Sequence, residues 1–352
     1  MTKLAAPHPR DILLGTQAAL SLPVCDHYSG VEARMRKSLV LQAEMSQEFG
    51  ACVFDVTLDC EDGAPIGGEK DHAEMVAAIA NQAGLTTDKD TSKGSARVAV
   101  RVHPVGHPAF EQDLDIIVGG AAAALCHVMI PKVETLADVV RAVQGVDQAE
   151  LRSGRLHALP LHVLIESPLA VHRVFEIAAH PRVQSLSFGL MDFVSAHGGA
   201  IPVSAMTTHG GALSDLEDQF SHPLVVRAKL EISSACHAHG KVPAHCVVTE
   251  FNNLDALKAS ATRASRALGY TRMWSIHPSQ IRPILEAFAP QAQEIELATD
   301  IIVAAARANW APISLGGQLH DRASYRYFWQ VLERAHQTGR HLRDEARAYF
   351  PA

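Results

Sequence analysis

Residues 159–192 read LPLHVLIESPLAVHRVFEIAAHPRVQSLSFGLMD. Two apolar runs, Leu159–Ile165 and Val183–Phe188, are separated by a segment of helical pattern, and each is followed by an acid, Glu166 and Asp192. Near-continuous apolar strands with a helix between them are what a parallel sheet covered by helices requires. Outward from this unit the same pattern recurs. Further strands are expected at Ala18–Val24, Ala51–Leu58, Ala96–Val102, Leu125–Ile130, Val242–Val247 and Met273–Ile276. Helical periods fall between them, as in VEARMRKSLVLQAEMSQEF (31–49) and LVVRAKLEISSACHAH (224–239). About eight βα units in roughly 250–290 residues is the count and size of an α/β (β/α)8 TIM barrel. An open doubly wound sheet is the alternative, but the first strand-to-helix turn, Pro23 to Gly30, lacks the GxGxxG it would use.

After Pro290 the pattern changes to helix (Ala292–Asn309), a glycine-containing break (SLGGQLHD), and helices near Ser324–Thr338 and Arg340–Ala348, with no strand signal. Residues 1–289 are therefore read as the barrel domain. Residues 290–352 are read as a C-terminal helical extension, packed on the barrel or on a neighbouring subunit.

The composition of the 352 residues, 47% hydrophobic and 20% charged, is that of an ordinary globular protein. A net charge of −7 argues against a nucleic-acid or anionic-membrane binder. The apolar run Ile116–Ile130 is broken by glycine and too short to span a bilayer, so no membrane association is expected. The opening MTKLAAPHPRDILLG carries no charged leader followed by an apolar core, which predicts a cytoplasmic location. The six cysteines form no CxxC and are expected to be free thiols. Among the twenty histidines, the group Cys236, His237, His239, His245 and Cys246 matches no common zinc spacing.

A TIM barrel carries its chemistry on the loops that follow the strands. The unusual charged residues collect there. TLDCEDGAP delivers Asp59, Glu61 and Asp62; RVHP delivers Arg101 and His103; IPKVE delivers Lys132; SIHPSQ delivers His277. Glu166 and Asp192 follow adjacent strands and can close on one hard cation, the usual arrangement for Mg²⁺; the alternative is a pair of helix-start acids. Arg101 suits a carboxylate or enolate oxygen, or a structural ion pair with Asp59 or Glu61. Lys132 suits either a supporting salt bridge or a substrate contact, and His277 either a helix cap or a substrate contact. Neither GxSxG nor GxxxxGK[ST] occurs.

At these residues the sequence resembles the citrate lyase β-subunit-like and malyl-CoA lyase-like branch of the HpcH/HpaI aldolase superfamily. LDCEDGA, RVHP, IPKVE, LIESPLAV, FGLMDF and SIHPSQI stand in that family's order across residues 17 to 288. The resemblance implies a TIM barrel, Mg²⁺ carried by Glu166 and Asp192, and Arg101 on the substrate or enolate. It also implies a homo-oligomer (trimer or hexamer) and acyl-CoA or acyl-carrier thioester substrates. GGQLHDRASYRYFWQVLERA is similar to the lid segment of malyl-CoA lyases, which makes Asp321 an acid/base given to a neighbour's barrel; read from the residues alone it is an N-cap aspartate.

The chain departs from the family pattern at three places. Gln17 and Ala18 stand where an Arg-Ser is frequent, Met273 where a lysine is usual, and His245 where an aspartate is common. Arg34, Arg36 and Lys37 meet CoA phosphates or form a solvated basic face. The expected activity is a Mg²⁺-dependent carbon–carbon lyase of Claisen or aldol type, acting on a malyl-CoA-like or citramalyl-CoA-like 3-hydroxy acid thioester. Arg101 stabilises the enolate, Asp59 or Asp321 moves the proton, and Glu61, Lys132, His277 and Lys37 stand on the substrate side. The alternatives are a thioesterase, a CoA-independent 2-oxo-acid aldolase, or a non-catalytic metabolite-binding barrel.

Overall fold

A computed structural model describes residues 8–15, 22–85, 96–153, 158–208 and 217–350. Eight parallel strands close into a barrel in sequence order: β1 Cys25–Ser29, β2 Phe54–Asp59, β3 Val98–Arg101, β4 Leu125–Ile130, β5 Leu161–Ile165, β6 Val183–Phe188, β7 Val242–His245 and β8 Arg272–Ser275. β8 closes on β1 with Met273 opposite Cys25. Alternation along each strand decides what fills the two sides. In β2, Phe54, Val56 and Leu58 join Val98, Val100, Ile130 and Val163 in the apolar core beneath the helices. The intervening Asp55, Thr57 and Asp59 are equally buried but face the barrel interior.

That interior is polar toward the start of the strands. The Arg272 guanidinium on β8 lies 2.7 Å from Asp26 of β1 and 2.6 Å from Asp55 of β2. Arg97 pairs with Asp55 at 2.5 Å, and Thr57 donates to Asp26 at 2.7 Å. Beside them the His127 and His162 rings stack at 3.5 Å. Burial, followed by the Arg272 charge, holds His162 down to about 3, so it is neutral at physiological pH. Above this layer Tyr28, Met129, Leu164, Ala244 and Trp274 form a separate apolar plug.

β1 lies further along the chain than the apolar pattern predicts. Leu22–Val24 precede the strand, and Ala18–Ser21 lie outside the described residues. The strand itself, CDHYS, reads as polar because Asp26 and Tyr28 point inward to partners that only closure supplies.

The extension also differs from an all-helical reading. Between the helices Ala292–Arg307 and Arg322–Gln337 runs an antiparallel hairpin, β9 Ile313–Leu315 and β10 Gln318–His320. Gly316 and Gly317 turn it at φ 58° and 79°, the double positive φ that a two-residue hairpin turn requires. The last helix is confined to Asp344–Arg347. Ile295, Ile302, Tyr325, Trp329 and Leu332 build the extension's own apolar cluster. The helix Pro9–Leu14 contributes Leu13 to it, so this N-terminal piece packs on the extension rather than on the barrel. Among the described residues no helix is long and apolar enough to cross a membrane.

Candidate active site at the barrel mouth

β2 and β3 run side by side with Asp59 opposite Arg101. Arg101 donates through Nε to Asp59 Oδ1 at 2.7 Å and through Nη2 to Oδ2 at 2.5 Å, a bidentate fork. The same two oxygens accept the backbone N–H groups of Glu61 and Gly63, each at 3.0 Å. A Cβ on Gly63 would lie 2.2 Å from Asp59 Oδ2, so only glycine lets this loop wrap the carboxylate. Four N–H donors converge on Asp59, which anchors Arg101 and the loop.

Glu61 extends the network. Its carboxylate lies 3.1 Å from Arg101 Nη1 and pairs with Lys132 Nζ. Lys132 sits at φ 52°, a left-handed conformation that costs a non-glycine residue about 1–2 kcal/mol. This turn sends its side chain back to Glu61 while its backbone N–H donates to Glu166 Oε1 at 2.6 Å. Lys132 thereby forms the supporting salt bridge and orients both acids.

Glu166 is buried at the end of β5, and Asp192 is half-buried in the first turn of the helix Leu190–Ser195 that follows β6. Both line one cavity of about 340 Å³ with Lys132, Glu134, Ser167 and Ser195. Burial, reinforced by the Asp192 charge, pushes the Glu166 carboxyl up to about 8. No lysine or arginine side chain pairs with either acid among the described residues, so this donor set lacks a cation and has room for one. Two carboxylates beside open space fit Mg²⁺, which keeps its remaining positions for water or substrate oxygens. Gly189 makes the fit possible, since a Cβ there would stand 2.5 Å from Glu166 Oε2. A Cβ there would also stand 2.5 Å from Glu166 Cβ, so Gly189→Ala is expected to displace Glu166 and weaken Mg²⁺ binding by about 10- to 100-fold, which calorimetric titration measures.

The raised Glu166 has a sign that can be checked in metal-free protein. The folded chain holds a proton there that the unfolded chain releases near 4.5. Stability is therefore lost as pH rises from about 4.5 to about 8. Urea unfolding across that window is expected to show a falling midpoint, flattened in Glu166→Gln.

Two other groups have ligand-like spacing, Asp26–His127–His162 and Asp55–Cys126–His127, both deep in the barrel. They do not suit a metal. Arg272 already neutralises both aspartates. The His127 and His162 planes lie only 13° apart, so their in-plane lone pairs cannot converge on one ion.

The other sequence-predicted residues lie outside this cavity. His277 caps the turn Pro278–Gln280 through Ser279 and stacks on Phe251 at 5.0 Å, which is the capping alternative. Lys37 is exposed on the helix Glu32–Phe49, where neighbouring Arg36 pairs with Glu32. Asp321 is an exposed N-cap that accepts from Ala323 and Ser324. The sequence reading missed Tyr28 and Trp274, stacked at 4.4 Å, with the Arg101 guanidinium 5.6 Å from the Tyr28 ring. The placement of β1 hid them. A two-residue alternation in CDHYS and RMWS is the signal that finds them.

The pattern of the HpcH/HpaI aldolase/citrate lyase family matches residues 41–278. A citrate lyase from Burkholderia xenovorans LB400, known from a crystal structure, is 45% identical, with a TM-score of 0.78 over 98% of this chain and 100% of that one. The L-malyl-CoA/β-methylmalyl-CoA lyase of Cereibacter sphaeroides is 29% identical over 296 residues, 82% of this chain and 90% of its own. The protein CitE of Mycobacterium tuberculosis, solved with magnesium, acetoacetate and coenzyme A, shares the fold at 20% identity, with a TM-score of 0.61 over 90% of this chain and 98% of that one.

Proposed function

Because the chain belongs to the HpcH/HpaI aldolase/citrate lyase family and is a lyase of the citrate lyase β-subunit and malyl-CoA lyase type, we propose that it makes or breaks a carbon–carbon bond beside a thioester. The substrate is a 3-hydroxy acid thioester of malyl-CoA or citramalyl-CoA chemistry. The observation that carries this reading is the acid pair Glu166 and Asp192, without a basic partner, in one cavity near the anchored Arg101. The lyase of Cereibacter sphaeroides supports the thioester, and magnesium in the CitE structure supports the ion.

A Mg²⁺ ion on Glu166 and Asp192 would supply positive charge for the carboxylate and oxo oxygens of the 2-oxo acid fragment. The chain's own residues do the rest. In the cleavage direction the substrate hydroxyl passes its proton to Asp321, which later returns it at carbon, and the bond from the hydroxyl's carbon to the thioester α-carbon breaks. The electron pair passes onto the thioester as an enolate, which then takes a proton at carbon. Arg101, held by Asp59 and Glu61, presents its fixed guanidinium to the enolate oxygen. Tyr28 and Trp274 close the barrel beneath and keep water from that side.

Asp321 moves the proton at carbon, delivered by the lid-like extension 290–352 of a neighbouring subunit in a homo-oligomer. Asn still caps the helix Arg322–Gln337, so Asp321→Asn separates chemistry from fold. It is expected to lower kcat about 10²- to 10⁴-fold at unchanged thermal midpoint. The exposed Lys37 and Arg34 offer charge for CoA phosphates, and the six free cysteines suit a cytoplasmic enzyme.

Purified protein assayed with malyl-CoA, citramalyl-CoA and a panel of free 2-oxo and hydroxy acids, with and without Mg²⁺, tests the reading. Mg²⁺-dependent carbon–carbon cleavage of a thioester is the expected result, with competition by free CoA. Thioester hydrolysis alone, cleavage of free acids indifferent to CoA, or binding without turnover would each replace it.

A further inference from the structure

A second cavity, of about 310 Å³, opens at the opposite end of the barrel. One wall is the end of the helix Glu32–Phe49, which runs back from the mouth toward the end where the strands begin. The other is the C-terminal extension. Phe49, His336, Arg340, His341, Arg347 and Phe350 line it, and among the described residues no acidic side chain does. In a chain of net charge −7 this concentration of basic groups runs against the composition.

Two acids at this end of the barrel are paired with other cations. Glu48 is held by both Nη atoms of Arg282, at 2.8 and 2.5 Å, and Glu286 by Lys258 at 2.6 Å. Arg340 and Arg347 are exposed, and neither has an ion-pair partner among the described residues. Two planar forks with unspent N–H donors beside one cavity suit a phosphate.

The aromatic side of the cavity is built as a stack. Trp329 and His336 stand seven residues apart on the helix Arg322–Gln337, which is about 10.5 Å of helix rise. Phe350 lies 5.2 Å from Trp329 and 4.8 Å from His336, at interplanar angles of 8° and 22°. The Phe350 ring therefore intercalates between the two, and His336 ends the stack at the cavity. Gly339 fixes the seam to the barrel, since a Cβ there would lie 2.1 Å from Phe49 Cδ1.

We propose that this cavity is a binding site for a small anion that joins a phosphate to a planar ring, of nucleoside monophosphate chemistry. Arg340 and Arg347 take the phosphate, and the ring continues the Trp329–Phe350–His336 stack. Because one wall belongs to the barrel and the other to the extension, an occupant clamps the two together. The site lies away from the mouth and does not depend on the lyase reading.

Adenosine monophosphate and inorganic phosphate are the probes, titrated into the full-length protein. Tryptophan fluorescence, to which Trp329 contributes, and the thermal midpoint are the readouts. Saturable quenching by adenosine monophosphate is expected, with affinity at least tenfold above that of phosphate and a midpoint that rises with ligand concentration. In the double variant Arg340→Ala/Arg347→Ala that affinity falls at least tenfold, while lyase turnover without nucleotide is unchanged. Absence of saturable binding, or equal binding by the double variant, overturns the site. Equal affinity for phosphate and the nucleotide overturns the role of the ring.

Discussion

Replacing Glu166 by alanine is expected to lower kcat about thousandfold or more, with Asp192→Ala close behind. Positive charge at the reacting oxygens is worth several kcal/mol of transition-state stabilisation, and about 4 kcal/mol is a thousandfold in rate. Each variant removes half of the acid pair that would hold the ion. Stability moves the other way. Glu166 is buried against Asp192, and the Lys132 N–H and the Arg101 charge only partly favour its ionised form, so its removal relieves a strained ionisation. Steady-state kinetics across a Mg²⁺ titration, beside thermal unfolding in chelator, measures both. Undiminished turnover in both variants at saturating substrate would remove the basis of the mechanism.

Arg101→Lys is expected to cost about 10²- to 10³-fold in kcat, nearly as much as Arg101→Ala. Lysine keeps the charge but not the fork: one ammonium cannot span both Asp59 oxygens at 2.7 and 2.5 Å and reach Glu61 as well. Alanine adds a second effect. It leaves Asp59 and Glu61 buried without their guanidinium, which costs about 3–5 kcal/mol of stability. Comparing the two variants by kcat and by urea midpoint separates positioning from charge. A lysine variant with wild-type kcat would reduce Arg101 to a structural ion pair.

The sequence carries the barrel legibly where its strands keep large apolar residues on the helix-facing side. Leu125–Ile130 and Val183–Phe188 are found to the residue, and the acids after β5 and β6 follow from them. It is less legible where one face is charged. CDHYS looks like a loop until Arg272, 246 positions later than Asp26 in the chain, is known to cross the barrel and pair with it. An error of a few residues there hid Tyr28, and with it the floor of the mouth. The hairpin in the extension escaped for another reason. Its strands are three residues each, too short for periodicity to register, although Gly316–Gly317 announced the turn. Asp59 shows the third limit. Its residue type suits a base, and only the four donors around it reveal an anchor. The left-handed Lys132 likewise has no signature in IPKVE, because the conformation is imposed by the two acids it serves.

Arg272 bridging Asp26 and Asp55 makes the final closure of the barrel self-checking. A β8 strand that zipped onto β1 one residue out of step would turn its guanidinium outward among aliphatic side chains and strand two carboxylates inside. Such a misclosed intermediate has no depth in which to become trapped. It reopens, and the chain searches again until the charges meet.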